Sequence, residues 1–348
     1  MSFVDFENVH QMVRATAERV PTREAFRTIH ATGRTSSVTW GEFLAQVRRV
    51  GRSLIALGVG HGDKIAILSY SCYRWVLTDI GAESVGAVTV GIYHTSLAKE
   101  CRYIIEHSES VVVFAQNAEQ LAKLQQVKEG LRNVRKVVLF DGAPASDWAI
   151  GYDEFLRLGD AVLEQDLAAR IAAVGPRDLA AIVYTSGTTG VPKGAMLTHD
   201  NLTFTCQSVH QCGDVTEDDV ELLFLPLAHV FARTTVFVSI VAGAATAFAR
   251  GMETLVEDLR ITRPHWFASV PRVFEKVQSR ALGQAEAKGH VALRVFTWAA
   301  RTGLAMSDCL LAGRPIPLGL KLRYAVADHL VFSKLRAVFG GRLRWCIS

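Results

Sequence analysis

The sequence predicts an α/β protein whose strands form parallel sheets covered by helices on both faces. Three observations predict it. Short apolar runs alternate with segments of helical spacing from Lys64 to Phe140, the pattern of strand–helix–strand crossovers. The alternation restarts after residue 200. The 348 residues are 49% hydrophobic with a positive mean hydropathy, enough for two ordinary domains or one large unit with a good core.

Taken in order, residues 4–20 form a helix and Val38–Trp40 a short strand. Thr39 or Gly41 starts a helix carrying Phe43, Leu44, Val47, Val50, Leu54 and Leu57, which Gly58 stops. Strands follow at 64–68, 88–93, 111–115 and 136–140, with helices at 75–84, 97–106 and 119–129 between them. Two helices, 152–158 and 163–172, lie in a looser stretch that leads to a boundary at Gly175-Pro176. The expected organisation is therefore an α/β subdomain over 1–175 and a second over 176–348. In the second, strands at 180–183, 195–198, 221–225, 244–249 and 265–270 alternate with helices at 201–211, 230–242 and 255–262. Asp200 is a candidate cap. Pro271 opens a long helical region that Gly283 and Gly289 can interrupt. A helix over 318–339 and a strand over 342–347 complete the order.

Composition narrows the class. Charged residues are 21% of the chain and the net charge is +4, so neither disorder nor nucleic-acid binding is indicated. The six cysteines (72, 101, 206, 212, 309 and 346) form no C-x-x-C pair and no zinc spacing with histidine. They read as reduced thiols, mostly buried, in a cytoplasmic protein. The amino-terminal residues lack a signal-peptide core. Val236–Ala249 is too short to span a bilayer, which takes roughly twenty apolar residues. It reads as a buried helix turning into a buried strand. Trp75 and Trp266 read as core residues.

The most informative stretch is Tyr184-Thr-Ser-Gly-Thr-Thr-Gly-Val-Pro-Lys-Gly194, between two apolar runs. Glycines let the backbone approach a ligand, successive amides can form an anion nest, and hydroxyls and Lys193 add donors and charge. This chemistry suits a polyphosphate. It is not the common P-loop, because Lys193 is followed by Gly194 rather than Ser or Thr. Two further stretches mark strand ends that open helices. Leu225-Pro-Leu-Ala-His-Val-Phe-Ala-Arg233 puts His229 at the carboxyl edge of a sheet, where α/β proteins bind ligands. Arg233, one turn on, shares its helix face, and a capped helix with a solvated arginine is an equal reading of these residues. Ser269–Val277 starts a helix with Pro271 in its first turn. His199 and Asp200 follow the loop closely, with capping the simpler role.

The Tyr184–Gly194 string closely resembles the phosphate-binding signature of the AMP-forming adenylate enzymes, the acyl-CoA synthetase and luciferase superfamily. Leu225–Arg233 and Ser269–Val277 look most like long-chain fatty-acid–CoA ligases. The resemblance implies the layered parallel sheets of that family's large amino-terminal domain. It implies a reaction in which a carboxylate attacks the α-phosphate of ATP, giving acyl-AMP and pyrophosphate, and a thiol, usually coenzyme A, then displaces AMP. Carried onto matching positions, Thr185, Ser186, Gly187, Thr188, Thr189, Gly190 and Lys193 hold the phosphates. Lys193 and His229 are the catalytic candidates, Thr185 lies nearest Mg²⁺, and His229 lies beside the acyl pocket. At Tyr93-His94-Thr95 the family more usually has a proline.

The resemblance runs along the whole chain but matches only the amino-terminal part of the family fold. The Tyr-Gly-x-Thr-Glu motif, the ribose-binding aspartate, the hinge and the small carboxyl-terminal domain with its lysine have no counterpart here. Together with the strand-like close of the sequence, this leads us to expect a chain truncated relative to its ancestor. Three functions follow. The first is a long-chain fatty acid–CoA ligase using ATP, Mg²⁺ and coenzyme A. The second is an inactive remnant, or one half of a split ligase that pairs with a complementary carboxyl-terminal fragment. The third is a fatty acyl-AMP ligase that serves a carrier protein. The expected partners are a long-chain fatty acid and the two co-substrates, with no nucleic acid and at most peripheral membrane contact.

Overall fold

The computed structural model describes residues 4, 6–142, 144, 146–185 and 191–348, the side chain of Lys276 excepted. The chain falls into two compact units. The first comprises residues up to 219 and 223–248, and the second comprises 220–222 and 249–348.

The first unit opens with α1 (Val9–Arg19), β1 (Glu24–Ile29), β2 (Thr35–Thr39) and α2 (Trp40–Ala56). Thr39 caps α2 through a reciprocal capping box with Glu42, which satisfies two otherwise orphaned amides. The crossovers that follow are β3 (Lys64–Ser69), α3 (Tyr73–Ser84), β4 (Val88–Tyr93), α4 (Ala98–His107), β5 (Ser110–Ala115), α5 (Ala118–Gln126), β6 (Lys136–Leu139) and β7 (Ala149–Gly151). After α6 (Tyr152–Leu158) and α7 (Glu164–Ala172) come β8 (Leu179–Thr185), β9 (Lys193–Thr198) and α8 (His199–Cys212). The cap of α8 is Thr198, in a capping box with Asn201. Asp200, the expected cap, falls one residue inside the helix.

One sheet runs β7-β6-β5-β3-β4-β8-β9. Every pair in it is parallel except β8 with β9. Its central strands are apolar because both faces are covered: Ala66, Leu68, Val90, Val113 and Val137 belong to one buried cluster. The expected boundary at 175–176 does not separate sheets. β8 lies beyond it and pairs with β4 in the register Thr89↔Ala181. Parallel pairing accepts strands from distant points of the chain, so a loose linker need not mark the end of a sheet.

Besides the short β7, the strand β1 is the element that the sequence reading lacked. It pairs antiparallel with β2 and, far along the chain, parallel with β11 (Ala245–Phe248). Phe26 stacks on Phe248 at 6.0 Å and packs against Phe43 at 4.6 Å. The apolar stretch 236–249 is, as expected, a buried helix followed by a buried strand. The helix is α9 (Val230–Ala242), ended by Gly243 at φ 78°. No helix among the described residues is long and apolar enough to cross a membrane.

The second unit contains β10 (Val220–Leu223), α10 (Leu255–Thr262), β12 (Trp266–Ala268), α11 (Pro271–Ala287), α12 (His290–Leu311), α13 (Leu318–Ala327), α14 (Ser333–Val338) and β13 (Trp345–Ile347). A π-helical turn, Asp328–Phe332, joins α13 to α14. Gly289 separates α11 from α12, whereas Gly283 is accommodated inside α11. The strands β13, β12 and β10 are parallel neighbours. Trp266 and Trp345 stack across the first pair at 4.9 Å. Of the six free cysteines only Cys101 and Cys206 are buried, while Cys212 and Cys346 are exposed. The expectation of mostly buried thiols is therefore corrected. Helix ends and an edge strand leave room for the others at the surface.

Two histidines are buried in the first unit, and burial lowers both pKa values from 6.5 to about 4. His10 Nδ1 lies 3.0 Å from Ser84 Oγ, which itself donates to the Ile80 carbonyl, so Nδ1 carries the proton. His199 Nδ1 accepts from the Val9 amide at 3.3 Å. A neutral buried histidine contributes stability that is full above the unfolded pKa and is lost as pH falls through the window from 6.5 towards 4. His199→Asn keeps an acceptor for the Val9 amide and removes the titration. Urea unfolding of both proteins should show the variant gaining about 2–3 kcal/mol relative to the parent between pH 7 and pH 4. A pH-independent difference would contradict this account.

Candidate active site at the carboxyl edge of the first sheet

The strand β8 is an apolar run buried as far as Tyr184, and it surfaces at Thr185. The strand β9 returns antiparallel to it, with Thr185 opposite Lys193. Two antiparallel strands therefore flank the loop, as its neighbouring apolar runs predict. Ser186, Gly187, Thr188, Thr189 and Gly190 lie outside the described residues. Lys193 begins β9 and is exposed.

The parallel neighbour β4 sets the second wall. Gly91 faces the turn that carries His229, and a Cβ at Gly91 would stand 2.8 Å from Ala228 Cα and 3.3 Å from its Cβ. Glycine lets the turn sit directly on the strand. Ser71 pins the same turn, because its hydroxyl donates to the Leu225 carbonyl at 2.7 Å and accepts from the Leu227 amide at 2.9 Å. His229 is exposed and caps α9, and its Nδ1 accepts from the Phe231 amide at 3.2 Å. In the neutral ring Nε2 must then carry the hydrogen, which makes it a donor.

These elements enclose a cavity of about 710 Å³, lined among others by Tyr93, Lys99, Tyr103, Thr185, Pro192 and His229. The structure thus brings Thr185 and His229 onto one cavity, while Lys193 stands beside it at the head of β9. Sequence reasoning missed the wall that α4 supplies. Tyr103 donates to the Pro192 carbonyl at 3.0 Å, and His107 Nδ1 lies 2.7 Å from Tyr184 Oη. Burial pushes the Tyr184 phenol up to about 12, so it remains a neutral hydroxyl. Tyr103 and His107 stand four apart on a helix, and that spacing was the available signal. Among the described residues no three His, Cys, Asp or Glu side chains group to hold a metal. At the cavity the protein offers the Thr185 hydroxyl and the Glu100 carboxylate, the latter already accepting from the Leu97 amide.

Arg233 does not accompany His229 at the sheet edge. It is 3% exposed and points into the core, where its Nη2 meets Asp79 Oδ1 at 2.7 Å and Glu83 Oε1 at 2.6 Å. The rings of Trp75 and Phe237 flank the guanidinium at 5.6 and 5.8 Å. Burial raises both carboxyl pKa values, Glu83 the further because Asp79 repels its charge. The solvated-arginine reading is corrected: two acids on α3, one turn apart, draw the arginine inward. They also tie α9 to α3 beneath the His229 turn.

The AMP-binding enzyme family matches residues 13–340. The chain belongs to the AMP-binding enzyme family. Among its relatives, long-chain-fatty-acid–CoA ligase FadD15 of Mycobacterium bovis is 35% identical over 315 residues, covering 90% of this chain and 51% of that protein. Long-chain-fatty-acid–CoA ligase ACSBG2 of Rattus norvegicus is 32% identical and covers 87% and 47%. The N-terminal domain of FACL13 from Mycobacterium tuberculosis superposes with a TM-score of 0.62 at 25% identity, covering 78% of this chain and 64% of that one. The anthranilate CoA ligase AuaEII has a TM-score of 0.66 at 21% identity over 77% and 50%, and shares the fold alone. The chain spans about half the length of the curated relatives it matches, and its lineage is that of AMP-forming ligases.

Three substitutions test how the site is built. Gly91→Ala should cost about 1–3 kcal/mol through overpacking against Ala228, read as a lowered urea midpoint. Arg233→Met strands two buried acids and should cost about 3–5 kcal/mol. Glu83→Gln keeps the acceptor oxygen and should cost far less. Equal losses for Arg233→Met and Glu83→Gln would contradict the proposed charge balance.

Proposed function

We propose that this chain supplies the phosphate-binding and acyl-binding share of an ATP-dependent long-chain fatty acid–CoA ligase. The observation that carries this reading is the shared cavity: Thr185, at the mouth of the glycine- and threonine-rich loop, and His229 line the same space. In this reading the loop amides and hydroxyls from Thr185 to Gly190, with Lys193, hold the β and γ phosphates of ATP. Such preorganised donors stabilise charge on phosphoryl oxygens where water is excluded. His229 offers its Nε2 hydrogen towards the acyl carboxylate or the adenylate. The aromatic wall of Tyr93 and Tyr103 borders the acid.

Mg²⁺, when bound with the nucleotide, would supply positive charge that offsets the charge of the phosphates. Thr185 is the protein group proposed nearest to it. The nucleotide and water would supply most of the ligands, the ordinary manner of Mg²⁺ binding at phosphates. The long-chain class rests on the relatives' names at 30–35% identity, because the fold is shared with a ligase of an aromatic acid. Coenzyme A as thiol acceptor rests on the same relatives.

Equilibrium binding of ATP in the presence of Mg²⁺ tests the phosphate share. Lys193→Ala should weaken binding about tenfold, as expected for loss of one charge-assisted contact. Pyrophosphate release with C12–C18 acids tests whether these residues suffice for adenylation, and Lys193→Ala should then lower the rate by about 10²–10³. Absent ATP binding, or binding indifferent to Lys193, would sink the proposal.

A further inference from the structure

The second unit carries a charge asymmetry that the whole-chain value hides. Between residues 288 and 348 stand ten lysines and arginines against two aspartates, while the full chain has a net charge of only +4. Much of this charge lies on the hairpin of α12 and α13, which pack against each other. The connection between them turns at Gly313, at φ 59°, and contains Pro315 and Pro317.

The same hairpin exposes large apolar side chains. Leu311 is 85% exposed, Leu318 73% and Leu304 67%, with Leu310 and Leu322 close behind. Leu304 and Leu311 stand seven apart on one face of α12, and Leu318 and Leu322 stand four apart on one face of α13. Arg301, Arg314, Lys321 and Arg323 are interspersed with them, exposed, and in no ion pair among the described residues. Large apolar side chains exposed in this number on one hairpin call for an occupant.

The charge selects the occupant. A second copy of this chain would bring one cationic hairpin against another. Protein interface cores are depleted of charged residues, whereas here charges interleave with the leucines. A bilayer surface with anionic headgroups satisfies both features, since leucines enter the acyl boundary by about 5–10 Å while long basic side chains reach back to the phosphates. We propose that the α12–α13 hairpin is an in-plane docking face for an anionic lipid surface. It lies on the membrane and does not cross it, in keeping with the absence of a sufficiently long apolar helix among the described residues. The inference is independent of the ligase reading, because it concerns the other unit and a different chemistry.

Co-sedimentation with phosphatidylcholine vesicles, with and without phosphatidylglycerol, tests it on the full chain. Binding should require phosphatidylglycerol and weaken between 0.1 M and 0.5 M salt. Each basic residue near an anionic leaflet contributes about fivefold in partitioning. Arg314→Glu with Arg323→Glu should therefore lower binding at least roughly 30-fold. Leu311→Glu with Leu318→Glu should lower it more than about tenfold through loss of apolar burial. These exposed positions should leave the thermal melt unchanged. No binding to phosphatidylglycerol vesicles would overturn the proposal, and so would binding that persists in the leucine variant. A leucine variant that turns a dimer into a monomer while vesicle binding persists would assign the face to a second copy instead.

Discussion

The parallel pairing of β8 with β4 is the constraint on which the candidate site depends. It fixes the carboxyl ends of two strands side by side, and each end delivers a different part of the chemistry. Thr185 comes from one strand, and the seat for the His229 turn comes from the other. The seat exists because Gly91 presents no side chain, so the turn rests on the strand backbone. Ser71 then holds the turn by a donor and an acceptor at once. Backbone groups that the turn leaves unpaired are thereby satisfied.

Beneath this edge lies an arrangement that is expensive in isolation. Asp79, Glu83 and Arg233 are withdrawn from water together, and the gain from pairing must offset the desolvation of three ionisable groups. Well-packed apolar residues would stabilise the core as well or better. What the charges add is direction, because a guanidinium meeting two carboxyl oxygens permits few alternative placements of α9 on α3. His229 caps the first turn of α9, so the specificity of that packing is inherited by the site.

Much of this fold was legible in the sequence. Ile65–Leu68 and Val112–Ala115 are buried on both faces and therefore read as continuous apolar runs. The capping residue Thr39 announced α2. The strand Glu24–Ile29 was not legible, because Glu24, Arg27 and Thr28 dilute its pattern and its parallel partner lies beyond residue 240. Thr198 was passed over for Asp200 because either side chain can cap, and only backbone geometry decides between them. Arg233 was misplaced for a deeper reason. Helical spacing puts residues 229 and 233 on one face, yet His229 belongs to the turn and only Arg233 to the buried helix. At the site, residue types disclosed a phosphate loop, but the wall of Tyr103 and Tyr184 comes from tertiary packing, for which the spacing of Tyr103 and His107 was the sole local signal.

The first unit is closed by its own ends in sequence. Thr16 donates to the Ile240 carbonyl across 224 positions, and the Trp40 indole to the Gly243 carbonyl across 203. During synthesis the amino-terminal helix and strand leave the ribosome long before their partners exist. At about 5–20 residues per second, that wait is on the order of ten to forty-five seconds. Throughout it Phe26, Trp40 and Phe43 have only part of their core, and β1 has only β2 to pair with. A nascent chain of this topology depends on something else to shelter those aromatics until residue 248 emerges, so its yield in a cell is set as much by translation speed and holding chaperones as by the stability of the finished fold.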